Sequence, residues 1–127
     1  MTIIVKSAAL RSPGSAARVD LVLVVNRFRV PTAEAEAFRV QATRAHQLLA
    51  ACPGYVDGTA GRNVDHPSLW VLQTRWENVG SYRRALSSYD VKVHAVAVLA
   101  TAIEEPSAYE VVNPSEVLNL DVPRAMG

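Results

Sequence analysis

The 127-residue chain holds a single cysteine, Cys52, so it can form no internal disulfide, and a multi-cysteine metal site is excluded. Charge of one sign is missing too: 13 Lys and Arg stand against 12 Asp and Glu, a formal net of +1. That balance gives no general pull toward nucleic acid or an anionic membrane, and no basic run makes a local patch. No stretch approaches the ~20 apolar residues of a membrane span. The opening MTIIVKSAAL has only a three-residue apolar run before Lys6, too short for a signal peptide. GxGxxG, the P-loop, GxSxG and HExxH are all absent, which leaves nucleotide-binding, α/β-hydrolase and zincin chemistry without support. Glu104-Glu105 is only a local acidic pair, not the paired carboxylates of a hydrolase. There is no internal repeat and no low-complexity block. The chain reads as a soluble cytoplasmic protein.

What remains is ordinary for one globular domain: 50% apolar and 20% charged residues. A chain of this size can bury roughly two-thirds of its unfolded surface. Residues 1–18 carry a short possible strand, Thr2 to Val5, and then SPGSAAR, and are expected to form an arm outside the core. Residues 19–113 make the domain, and 114–127 a tail.

Within the domain, Asp20 to Val30 is a strand. Its even positions are Val22, Val24, Asn26, Phe28 and Val30; its odd positions are Leu21, Leu23, Val25, Arg27 and Arg29. Successive side chains point to opposite faces, so both faces are apolar up to Val25. A sheet with one wet face should alternate instead, and a partner subunit is the economical cover for the second face. Pro31-Thr32 opens a helix, with Thr32 as the expected N-cap. Phe38, Ala42, Ala45, Leu49 and Cys52 form its apolar stripe, and Pro53-Gly54 ends it. Tyr55 to Arg62 and Ser68 to Glu77 are strands joined by turn-forming residues 63–67. Asn78 is an expected N-cap for a second helix, with Tyr82, Leu86 and Tyr89 on its inner face. Val91 to Ala102 is expected to be helical, and Ala108 to Val112 a last strand. The order β-α-β-β-α-β is an α+β, ferredoxin-like arrangement: an antiparallel sheet with two helices on one face. Two such sheets meeting on their bare faces would form a dimeric barrel.

The segments VVNRFRV, CPGY, LWVLQTRWENVGSY and SAYEVV, spanning about Leu21 to Val112, resemble the antibiotic biosynthesis monooxygenase family of small dimeric α/β-barrel proteins. The resemblance implies one of several activities. Some members resemble cofactor-free oxygenases acting on aromatic polyketides, others haem-degrading enzymes, and some have no known activity. Asn26 matches the first-strand Asn of the haem-degrading members. His94 lies 18 residues after Trp76, a spacing like that of the axial His in one such branch. Ala85 stands where those members carry a Trp and where many general members carry a His.

Asn26 and His94 are the candidate catalytic residues. A buried amide without partners costs about 1–3 kcal/mol, so Asn26 either bonds backbone at a strand end or holds a substrate carbonyl, an oxygen intermediate or a water. His94, set among Val and Ala, is either a structural residue, an acid-base group or a haem ligand. Phe28, Trp70, Leu72, Trp76, Tyr82 and Tyr89 are the expected substrate-binding walls, each with core packing as the plain alternative. His46 and His66 are expected at the surface, and Cys52 in packing. No metal is expected, unless His94 ligates haem. The combined expectation is a homodimeric, cofactor-independent monooxygenase with a small hydrophobic aromatic or quinol-like ligand. Haem-degrading chemistry and a non-catalytic ligand-binding dimer are the alternatives.

Overall fold

A computed structural model describes residues 21–118. The expected N-terminal arm and the last part of the tail lie outside those residues. Four strands form one antiparallel sheet: β1 (Val22–Arg29), β2 (Tyr55–Arg62), β3 (Leu69–Trp76) and β4 (Ala108–Glu110), in the order β2-β3-β1-β4. A 3-10 turn (Thr32–Glu34) leads into α1 (Ala35–Ala50), and α2 (Val79–Ser87), α3 (Tyr89–His94) and α4 (Val96–Leu99) follow β3. This is the ferredoxin-like α+β fold.

The even positions of β1 face the helices. Val22, Val24, Phe28 and Val30 are buried there with Leu72 and Trp76 of β3 and with Phe38, Ala42, Ala45 and Leu49 of α1. The expected stripe of α1 is thus its core face, with Cys52 half-buried against it. The odd positions lie on the other face, where no helix among the described residues covers them. Leu23 there opposes Arg75 and Tyr109, and Arg27 opposes Val71. Two of the charges on this bare face are paired internally. Arg75 Nε donates to Asp57 at 2.9 Å, and Arg27 makes a two-pronged contact with Glu105 at 2.7 and 2.8 Å. Such forked guanidinium–carboxylate geometry holds both groups in register.

Three local expectations change. Thr32 is not an N-cap: it opens the 3-10 turn, and neither that turn nor α1 has a side-chain cap. Pro31 sets this, since Glu34 N–H closes back on the Pro31 carbonyl at 2.8 Å and tightens the entry. Tyr89 is not on an inner face but 75% exposed. Ser88 is extended (φ −68°, ψ 151°) and ends α2, so the helical phase restarts at Tyr89. The Val91 to Ala102 stretch is helical in two short pieces that break at Ala95 (φ −121°), which lets both Val91 and Ala95 reach the core. Asn78 does cap α2, its side chain accepting from the Ser81 N–H at 2.8 Å.

Gly54 follows α1 at φ +90°, where a side chain would be strained and its Cβ would fall 2.3 Å from Ser81 Oγ. A β-bulge between Tyr55 and Asp57 then shifts the register of β2. Tyr55 therefore sides with Trp76 on the helix face, while Asp57 sides with Arg75 on the bare face. Without that extra residue the two would share a face.

Candidate active site

Asn26 is the polar interruption in an otherwise apolar row, between buried Val24 and Phe28 on β1 and opposite buried Leu72 on β3. β4 pairs only with Val22 to Val24. Past that point, residues 103–107 take over the β1 edge through Ile103 N–H to Arg27 O and Val25 N–H to Ser107 O, each at 2.7 Å. Asn26 sits where this change occurs and is half-buried. Its side chain lies within interaction range of the Tyr82 hydroxyl, which arrives from α2. Burial pushes the Tyr82 phenol above its ordinary pKa, and Asn26 partly offsets this.

From Tyr82 a row of touching aromatic side chains runs across the helix face. Tyr82 and Trp76 ring centres are 5.6 Å apart, and Tyr55 meets Trp76 edge-on at 5.4 Å. Tyr55 hydroxyl then lies 2.7 Å from His46 Nε2 on α1. Trp76 is fully buried, and its indole N–H donates to Thr74 Oγ1 at 2.8 Å. Burial pushes the Tyr55 phenol up to about 12, with the Asp57 charge adding to the shift, and it lowers the pKa of His46. At neutral pH both members of the pair are therefore uncharged.

His46 is thus a half-buried partner of Tyr55, not the surface residue its polar neighbours suggested. A signal existed. Ala42, Ala45, His46 and Leu49 follow the i, i+3, i+4, i+7 rhythm of a core-facing helix stripe. Gly58 was a second clue: its Cβ would fall 2.8 Å from His46 Nε2, Tyr55 Oη and the Gln73 carbonyl. Only the lack of a side chain there lets α1 and Tyr55 meet.

The other expected site residues divide. Phe28, Leu72 and Trp76 are 1, 2 and 0% exposed and belong to the packed core under Asn26 and Tyr82. Trp70 stacks edge-on with Phe38 at 5.1 Å and carries the Arg62 guanidinium over its ring at 5.6 Å. Its indole N–H is buried with no acceptor among the described residues. His94 is exposed at the end of α3 beside exposed Lys92 and Val93, and Tyr89 is exposed. Neither is drawn into the Asn26–Tyr82 cluster by any contact among the described residues. His66 is exposed in the hairpin turn, as expected.

Two cavities border the cluster's neighbours. One of about 230 Å³ lies between the end of β1 and the start of α1, lined by Val30, Phe38 and Gln41. One of about 270 Å³ lies at the β2–β3 turn, lined by Arg27, Arg62 and Trp70. No group of three or more potential metal ligands occurs among the described residues. No helix there is long and apolar enough to cross a membrane.

The model of the family described as antibiotic biosynthesis monooxygenase matches residues 21–96. The chain belongs to that family. Among solved structures, the cofactor-independent oxygenase SnoaB from Streptomyces nogalater is similar at 29% identity and a TM-score of 0.62, over 74% of this chain and 95% of that one. Its N63A mutant gives 30% identity and a TM-score of 0.59, over 79% and 98%. A putative antibiotic biosynthesis monooxygenase from Nitrosomonas europaea shares the fold at 17% identity and a TM-score of 0.61, over 77% and 96%. No curated protein matches the chain.

A haem in this chain would have to be held by His94. An axial His needs an apolar enclosure that shields the iron. His94 is exposed, and neither cavity described above is lined by it. These residues do not fit a haem.

Proposed function

We propose that the protein is a cofactor-independent monooxygenase for an aromatic or quinol-like hydrophobic substrate, working as a homodimer. The carrying observation is the Asn26–Tyr82 pair: two polar side chains side by side in an apolar, helix-covered region of a chain from this family. Likeness to an oxygenase that needs no cofactor supports the same reading.

The chemistry asks little beyond positioning. A substrate methylene flanked by electron-withdrawing rings or carbonyls loses a proton to give a carbanion. The carbanion gives one electron to dioxygen, and the two radicals combine into a peroxide. Loss of water then leaves a carbonyl. Oxidation of the methylene to a carbonyl supplies four electrons and dioxygen accepts four, so one oxygen atom ends in the product and one in water. No outside reductant enters the balance. A carboxamide offers both a donor and an acceptor. Asn26 would hold the substrate oxygen and stabilise charge building on it, with Tyr82 fixing its rotamer and serving as a second donor. Phe28, Leu72 and Trp76 would be the rigid floor. The exposed His94 has no contact that gives it a step in this scheme, and Tyr89 is too exposed to be a wall.

The bare sheet face fits a second copy. Leu23, Val25 and Val71 lie on it between two ion pairs already closed within the subunit, so burying that part of it would leave Arg27 and Arg75 with their carboxylates. The test is dioxygen uptake by metal-free, flavin-free protein supplied with an anthrone-type substrate. Uptake should be abolished or reduced by about 100-fold in Asn26→Ala, the scale of losing one oxyanion donor. Uptake equal to the wild type in that variant would remove the proposal. Tight binding with no uptake by the wild type would instead favour a non-catalytic ligand-binding dimer.

A further inference from the structure

We propose that Tyr55 and His46 form a proton-coupled redox pair that terminates an aromatic relay, Tyr82–Trp76–Tyr55, and so gives the protein a route for moving oxidising equivalents away from the Asn26 region. The relay draws on the proposed oxygenase reading only for its natural oxidant; the geometry of the pair does not depend on it.

The two phenols of the relay differ in what they face. Tyr82 hydroxyl has a carboxamide, that of Asn26, as its polar neighbour, and a carboxamide is not a base. Tyr55 hydroxyl is 2.7 Å from an imidazole nitrogen, which is one. A phenol that loses an electron becomes a very strong acid, so oxidation is easy only where its proton has somewhere to go. In the tautomer with the proton on Nδ1, His46 Nε2 has a lone pair aimed at the Tyr55 O–H. Burial keeps His46 unprotonated and Tyr55 un-ionised at neutral pH, so the acceptor is free and the proton is in place. Trp76 joins the two phenols, with ring contacts of 5.6 and 5.4 Å. Its own N–H is bonded to the Thr74 hydroxyl, too weak a base to take the proton. An oxidised Trp76 therefore cannot trap the hole by deprotonation and passes it on.

The balance is simple. An oxygen-centred one-electron oxidant, of the peroxyl-radical class, takes an electron from the Tyr82–Trp76 end. Trp76 is refilled by an electron from Tyr55, and the Tyr55 O–H proton moves to His46 Nε2. The oxidant is reduced by one electron, Tyr55 is left as a neutral radical, and His46 is left as an imidazolium whose half-buried ring still reaches solvent and can release the proton to water. Return to the resting state takes one electron from a soluble thiol and the proton back.

Gly58 fits this reading. A methyl group there would intrude on both His46 Nε2 and Tyr55 Oη at 2.8 Å, so the strand leaves open the one spot where the pair assembles.

The test needs no substrate. The chain has four tyrosines, and the two outermost, Tyr89 and Tyr109, are exposed and replaced by Phe to silence direct surface oxidation. This background protein is oxidised with photogenerated tris(bipyridine)ruthenium(III), freeze-quenched and read by electron paramagnetic resonance. A neutral tyrosyl signal is expected, lost on adding Tyr55→Phe and severalfold weaker on adding His46→Gln, which keeps a hydrogen-bonding side chain but removes the base. An undiminished signal in either variant overturns the proposal, as does the absence of any tyrosyl signal in the background protein. Should a variant fail to fold, the background protein still decides. A deuterium-exchangeable hydrogen-bond proton coupled to the radical is expected, and a radical with no such coupling overturns the pair. Failure of the oxygenase reading would show only in dioxygen uptake and leave these signals unchanged.

Discussion

Gly58→Ala should destabilise the protein even though alanine removes chain freedom from the unfolded state. The added Cβ would sit 2.8 Å from each of three atoms: the Gln73 carbonyl oxygen, His46 Nε2 and Tyr55 Oη. The first belongs to β3 backbone, held in the sheet opposite Thr59, so it can yield only by bending a strand. Overpacking of this kind costs about 1–3 kcal/mol. Against it, the loss of unfolded-state freedom returns about 0.4–1 kcal/mol. The net cost is about 1–2 kcal/mol, and with roughly 3–5 °C per kcal/mol for a domain of this length, the melting midpoint should fall by about 3–10 °C. Thermal denaturation followed by circular dichroism measures it. Part of the cost comes from the Tyr55 hydroxyl, so Gly58→Ala in a Tyr55→Phe background should be less damaging by about 0.5 kcal/mol or more. A midpoint that stays level or rises in the single variant would refute the packing described around His46.

Arg75→Met leaves Asp57, only 9% exposed, as a buried charge without its guanidinium; a loss of about 2–3 kcal/mol is expected in a denaturant melt, less than for a fully enclosed pair because Arg75 is partly solvated. His46 has a folded pKa below its unfolded value of 6.5, so the unfolded chain binds the proton more readily. Its contribution is complete above pH 6.5 and is lost as pH falls through the folded pKa. Urea midpoints should therefore drop less between pH 7 and 5 in His46→Gln than in the wild type, to an extent set by this one group. Leu23→Glu on the bare sheet face should turn a species of twice 13.8 kDa into one of 13.8 kDa in sedimentation.

The parts of the fold that periodicity controls were legible in the chain. β1 was readable because Val22, Val24, Phe28 and Val30 alternate with Leu21, Leu23 and Val25, and α1 because Phe38, Ala42, Ala45 and Leu49 keep helical spacing. What stayed hidden depended on single local events. One extra residue in β2 turns Tyr55 to the helix side and Asp57 to the other, and no composition rule announces a bulge. One extended residue, Ser88, resets the helix and throws Tyr89 outward. Asn26 could be singled out because it breaks an apolar row, yet its partner Tyr82 comes from α2 and is brought to it only by tertiary packing. His46 was masked by polar neighbours Arg44 and Gln47, although its phase on α1 placed it inward.

The central claim is that substrate reduces dioxygen directly beside the Asn26 carboxamide. It is tested most directly by turnover under 18O-labelled dioxygen, with metal-free and flavin-free protein and an anthrone-type substrate. The account predicts one labelled oxygen in the product carbonyl, one in water, and loss of both in Asn26→Ala. Product oxygen drawn from unlabelled water, or labelling that requires an added flavin, metal or haem, would contradict it.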